Sequence, residues 1–159
     1  MSLKLFKPYL IFNIILIITF SISVNSYVNI QNVNILFYIF FHLTFIYYLF
    51  YYYNYSHYFL GLVYGILFDI LLLNSIGTHL ITFITLISVY IILKKYLFLL
   101  SPYQVSITIF LTLNITIYSE IFISFLSANI YFSIFNLFKY FIISIIIFIP
   151  SIFVLNKID

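Results

Sequence analysis

The chain has 159 residues, of which 66% are hydrophobic, 24% aromatic and only 6% charged, with a formal net charge of +3. So few charges cannot cover a water-exposed surface, which excludes a soluble globular domain. There is no cysteine and no arginine. That removes disulfides and thiolate metal sites, and with no basic stripe it leaves no surface for nucleic acid.

Apolar runs recur along the whole length, each near the roughly 20 residues that cross a bilayer as helix. They are continuous rather than alternating with period two, so the chain reads as helices and not as a membrane barrel. The expected fold is all-α: one polytopic integral membrane domain over residues 1–159 with six transmembrane helices.

In chain order, the first span covers about residues 9–24 and follows Lys4 and Lys7. It lacks a small-residue cleavage site and is read as an uncleaved helix. The polar stretch at residues 25–34 is predicted to be a loop. A second span at about 35–53 ends in a crowd of tyrosines, Tyr47, Tyr48, Tyr51, Tyr52, Tyr53, Tyr55 and Tyr58. In a chain without tryptophan these are the expected interfacial belt. The third span, about 58–73, leads into a tight turn at residues 74–78, where Gly77 can supply a positive φ. The fourth, about 79–93, stops at Lys94 and Lys95. Ser101-Pro102 breaks the chain before a fifth span at about 103–126. Ala128-Asn129 makes a short turn, and a sixth span covers about 131–155, kinked or ended by Pro150.

The lysines orient these spans. Lys4 and Lys7 precede span one, Lys94 and Lys95 follow span four, and Lys157 follows span six. An even number of spans separates the groups, so all lie on one face, which the positive-inside rule makes cytoplasmic. Both termini are then cytoplasmic, and five or seven spans would scatter the lysines to both faces.

Within span three stands Gly61-Leu-Val-Tyr-Gly65-Ile-Leu-Phe-Asp69, followed by Gly77. Steps of four residues drift only about 40° around a helix, so Gly61, Gly65 and Asp69 share one stripe. Gly61 and Gly65 form a small-xxx-small face for close helix packing within the bundle, and Gly77 is read as a packing glycine beside its turn role. An ionised carboxylate in hydrocarbon costs roughly 2.5 to 3.5 kcal/mol, so Asp69 is expected to face inward.

The six-span topology also sets depth. Asp69 and Glu120 lie shortly before outer turns, and His42 and Lys139 shortly after them. At about 1.5 Å per residue, all four fall roughly 8 to 13 Å below the outer boundary. A polar cluster of His42, Asp69, Glu120 and Lys139 is therefore expected, with Lys139 paired to Glu120 or Asp69. The alternative is that Lys139 snorkels to the headgroups. His79, opening span four, has the default role of a solvated or helix-capping imidazole. No two histidines have metal-ligand spacing, no base stands near a hydroxyl nucleophile, and Asn54-Tyr55-Ser56 lies in a predicted cytoplasmic loop. No metal, cofactor or catalytic group is expected. An intramembrane enzyme would rest only on the shared depth of Asp69, Glu120 and His42.

The motif Gly61-x3-Gly65-x3-Asp69, with Gly77 opening the next helix and His79 just after it, resembles the MreD family of bacterial rod-shape-determining membrane proteins. Length, six spans, Lys94-Lys95 after the fourth span, Glu120 in the fifth and Pro150 in the last agree with it. Lysine stands at the cytoplasmic ends where family members commonly carry arginine, and the first outer loop lacks the proline often seen there. The resemblance implies a non-enzymatic, multi-pass protein of the bacterial inner (plasma) membrane. Its implied partners are MreC directly and, through the complex, MreB, RodA and a class B penicillin-binding transpeptidase. It also implies a fold similar to the membrane substrate-binding subunit of energy-coupling-factor transporters. That fold likeness makes a small-molecule-binding transporter subunit the rival reading.

Overall fold

The computed structural model describes residues 3–25, 31–73, 77–97, 99–128 and 134–155. They form six α-helices: α1 (Leu3–Ser23), α2 (Gln31–Tyr52), α3 (Ser56–Phe68), α4 (Thr78–Leu97), α5 (Pro102–Ala128) and α6 (Ile134–Leu155). α3 runs on into a five-residue π-helical turn, Asp69–Leu73. Among the described residues α2, α4, α5 and α6 are long and apolar enough to cross a membrane, while α1 and α3 carry the shorter apolar stretches Pro8–Ser23 and Ser56–Leu72. Large apolar side chains also cover the outside of the bundle, among them Ile14, Leu36, Leu62, Ile92, Ile115 and Ile146. Lipid matches a surface of that kind and water does not. The chain is an all-helical membrane protein.

α2 is the central element. Residues 41–49 are buried without a break, as expected of a helix apolar on every face. Over its apolar stretch 56% is buried, against 17% for α6, which lies at the edge. α1, α5 and α6 pack around α2, α4 touches it, and α3 pairs with α4. Aromatic rings fill the seams. Phe12 of α1 stacks on Tyr47 and Tyr48 of α2, and Phe41 meets Tyr64, Phe68 and Phe83 edge-on.

This packing corrects the expected tyrosine belt. Tyr47 and Tyr48 are core residues, and only part of the run, notably Tyr51, Tyr55 and Tyr58, is exposed. The reason is register. Tyr48 sits under Tyr9 and Phe12 and reaches His57 at the start of α3, at ring-centroid distances of 5.8, 5.2 and 4.4 Å. Tyr47 stacks on Phe12 from the adjacent position.

Several boundaries also move. Residues 31–34, predicted to be loop, are helical and form the first turn of α2. Polar side chains are compatible there because the first backbone N–H groups have no partner within the helix. α4 continues past Lys94 and Lys95 to Leu97, which places both lysines in its last turn, where cations complement the helix dipole. Lys94 Nζ lies 5.1 Å from the centre of the Tyr53 ring. Pro102 starts α5 at a position that needs no N–H. The preceding Ser101 and Gln104 cap that end reciprocally, Ser101 N–H to Gln104 Oε1 at 2.9 Å and Gln104 N–H to Ser101 Oγ at 3.4 Å. Pro150 does not end α6, which runs on to Leu155. The turn at residues 74–76, the turn residue Asn129, residues 131–133 and Lys157 lie outside the described residues, as do the side chains of Lys4 and Lys7.

Candidate functional site

The junction between α3 and α4 shows what the glycine–aspartate motif does. Gly65 faces the backbone of α4. A Cβ there would lie 2.7 Å from Leu80 Cα and 3.0 Å from Leu80 N, so only glycine allows this approach. Gly61, one turn earlier, faces Ile87 and Phe83 side chains, where a Cβ would meet Ile87 Cδ1 at 2.7 Å. Gly77 does not act as a packing glycine but meets the other expectation for it, a positive φ. Among the described residues beyond its chain neighbours no atom lies closer than 3.9 Å to a Cβ on it, but its φ is +144°. Its requirement is conformational, because it turns the chain into α4.

That close approach brings Asp69 to the N-terminus of α4. Its Oδ2 accepts from Gly77 N–H at 2.7 Å and from Leu80 N–H at 3.2 Å, and its Oδ1 accepts from His79 N–H at 2.8 Å. Three donors that a helix end leaves unpaired are thereby satisfied by a carboxylate from another helix, at the positive end of the dipole. Asp69 is fully buried, so these bonds replace its hydration. It also opens the π-helical turn, and its own N–H reaches both Gly65 and Ile66 carbonyls.

His79 is buried within the bundle rather than placed at its surface. Its Nδ1 lies 2.8 Å from Asp69 Oδ1 and its Nε2 lies 3.0 Å from the Tyr38 hydroxyl on α2. The same hydroxyl contacts Glu120 Oε2 on α5. Glu120 Oε1 in turn lies 3.0 Å from His42 Nε2, and His42 Nδ1 donates to the Tyr38 carbonyl at 2.9 Å. Three of the four residues expected in the polar cluster, His42, Asp69 and Glu120, thus share one network.

Lys139 does not join it. Among the described residues no hydrogen bond or ion pair connects it to either carboxylate: the ion pairs are His42–Glu120 and His79–Asp69. Each carboxylate already has its partners. Asp69 is held by the α4 N-terminus and His79, and Glu120 by His42 and Tyr38.

Sequence reasoning missed Tyr38 and the inward role of His79. Both had a usable signal. Tyr38 precedes His42 by four residues and so shares its helix face, and His79 lies in the first turn of the helix that Gly77 opens. Aromatic abundance hid the first, and predicted surface placement hid the second.

No family model, curated protein or solved structure matches this chain.

A cavity of about 200 Å³ opens beside the network. Ser23, Asn34, Tyr38, His79, Glu120, Ser124 and Tyr140 contribute its polar lining, with apolar side chains between them. The Asn34 Oδ1 atom is buried and has no hydrogen-bond partner among the described residues. Chemically, the arrangement can hold protons and accept hydrogen bonds. Across α5 and α6, Ser144 Oγ donates to Asn114 Oδ1 at 3.1 Å and the Tyr118 hydroxyl to the Leu137 carbonyl at 3.3 Å, closing that side of the bundle.

Proposed function

We propose that this protein is an MreD-type subunit of the bacterial cell-elongation machinery. In this reading it is a non-enzymatic six-pass protein of the inner membrane with both termini in the cytoplasm. It binds MreC directly and organises lateral peptidoglycan synthesis with MreB, RodA and a class B transpeptidase through that complex.

The observation that carries the proposal is the use made of the Gly61–Gly65–Asp69 stripe and Gly77. These residues form one device, a buried carboxylate capping the following helix across a glycine-close contact. The motif behind the family resemblance therefore has a coherent physical purpose. It makes α3 and α4 a rigid hairpin, a frame on which lipid-facing surfaces can receive the single transmembrane helix of a partner.

The test is co-purification from native membranes. A tagged chain should retain MreC, and depletion should round the cells. Unaltered cell shape together with absence of MreC would reject the proposal.

A second reading, a small-molecule-binding subunit of a transporter, is favoured by the cavity and by the unpartnered Asn34 oxygen on its wall. A solute co-purifying with the isolated protein, and an ATPase pair encoded beside its gene, would support that reading over the first.

A further inference from the structure

Asp69, His79, Tyr38, Glu120 and His42 form one unbroken hydrogen-bonded chain, and counting protons shows what it must hold. It has five contacts: Asp69 to His79, His79 to the Tyr38 hydroxyl, that hydroxyl to Glu120, Glu120 to His42, and His42 to the Tyr38 carbonyl. Each needs one hydrogen between its two heavy atoms. A carbonyl only accepts, so His42 Nδ1 carries a hydrogen. The Tyr38 hydroxyl has one proton and two neighbours, so it donates to one and must accept from the other.

If Tyr38 donates to Glu120, His79 must carry hydrogen on Nε2, and with Asp69 ionised it carries one on Nδ1 as well. If it donates to His79, Glu120 must be protonated. The contact between Glu120 and His42 Nε2 likewise needs a proton on one partner. Two neutral imidazoles, one phenol and two ionised carboxylates bring three protons to five contacts. Leaving two contacts empty would press lone pairs together at a buried site, where unpaired polar atoms cost most. Two further protons fill the chain, and they also cancel the two carboxylate charges. Burial favours that neutrality.

We propose that this chain is a proton-binding site holding two protons beyond the three of its neutral rings, with Tyr38 as the bridge that lets one of them reside on either His79 or Glu120. In the transfer, the His79 Nε2 proton passes to the Tyr38 oxygen and the Tyr38 proton passes to Glu120 Oε2. Imidazolium and carboxylate become imidazole and carboxylic acid, and the total is unchanged. Tyr38, His79 and Glu120 line the cavity, which admits water to exchange these protons, whereas His42 and Asp69 are fully buried behind them.

The surrounding elements add few ionisable groups. From α6, Tyr140 lines the cavity with Glu120, while Lys139 is half-buried and bonded to none of the five. On α5 the Tyr118 hydroxyl is occupied by the Leu137 carbonyl. α1 lines the cavity with Ser23. On α3, Tyr64 packs against Phe20 and Phe41, and His57 is held by the backbone of Asn54.

The test counts protons in the intact protein. The chain labelled with nitrogen-15 in its histidine rings is placed in lipid nanodiscs at about pH 8, where a free imidazole is neutral and a free carboxyl ionised. Nitrogen NMR, assigned ring by ring, reports imidazolium at His42 and His79. Infrared absorption reports protonated carboxyl, assigned by its loss in Glu120→Gln and Asp69→Asn. The expected sum is two. A sum of zero or one overturns the proposal. Tyr38→Phe keeps the ring and removes the bridge, so three contacts remain, the sum falls to one and His79 loses its Nε2 proton. A sum still at two in that variant overturns the role given to Tyr38.

Discussion

Gly65 on α3 and Leu80 on α4 approach so closely that a methyl group on the glycine would sit 2.7 Å from the Leu80 Cα. The obstacle is backbone at the start of a helix that Asp69 holds in place, so it cannot swing aside. At Gly61 the obstacle is the terminal methyl of Ile87, which can rotate. Gly65→Ala should therefore destabilise the protein by about 1 to 3 kcal/mol, and Gly61→Ala by clearly less. Thermal unfolding in detergent gives the order, and equal shifts would contradict this account of the seam.

Asp69→Ala removes the acceptor for three backbone N–H groups and one imidazole at once. A loss of about 3 to 5 kcal/mol is expected, the range for removing one partner of a buried pair. Asp69→Asn keeps one carbonyl oxygen and should fall between Ala and wild type. Hydrogen exchange at Gly77, His79 and Leu80 reads the same event locally. All three amides should exchange faster in the alanine variant, and unchanged protection would show that the cap is not made.

Gly77→Ala brings its methyl no closer than 3.9 Å to the described residues beyond its chain neighbours, but asks alanine to adopt φ near +144°. The expected cost is about 1 to 3 kcal/mol from backbone strain alone. Replacement by D-alanine through semisynthesis should recover most of it, since a D-residue prefers positive φ. Failure of that rescue would mean that space matters here and not handedness.

The tyrosine run separates into core and surface. Tyr48→Ala should cost about 3 to 5 kcal/mol, as for other large buried aromatics, because it empties the space between Phe12 and His57. Tyr55 is 81% exposed, and its replacement by alanine should change stability by no more than about 0.5 kcal/mol. Chemical unfolding in mixed micelles compares the two. Similar losses would restore the belt reading.

Lysine placement gives a topological forecast that suits a chain without cysteine. A thiol introduced by Leu99→Cys, just beyond α4, should resist a membrane-impermeant reagent in whole cells and react once they are opened. One introduced by Asn25→Cys, just beyond α1, should react in whole cells. The reverse pattern would invert the bundle.

Much of the site was legible because it is local. The four-residue steps from Gly61 to Asp69 fall on one stripe by helix geometry, and a carboxylate in an apolar segment has to find partners. Depth alone then grouped Asp69, Glu120, His42 and Lys139, of which the first three share the network. Depth could not choose between Lys139 and His79 as the counter-group, because that depends on how each helix is rotated about its axis. Nor could it separate Tyr38 from the other tyrosines, since one residue type supplies both core rings and surface rings here.

Composition and continuous apolar runs by themselves made this an all-helical membrane protein, because lipid leaves the backbone of such a chain no other way to satisfy its polar groups. Proline marked the start of α5, but α1 begins at Leu3, ahead of Pro8, and α4 runs past its two lysines to Leu97. Only the tertiary structure decided that Asp69 caps a neighbouring helix and that a single phenol joins two carboxylate–imidazole pairs. Those outcomes depend on helix rotation and side-chain direction across the bundle. Hydropathy carries no record of either, because a helix packs and spans by its faces while hydropathy averages over all of them.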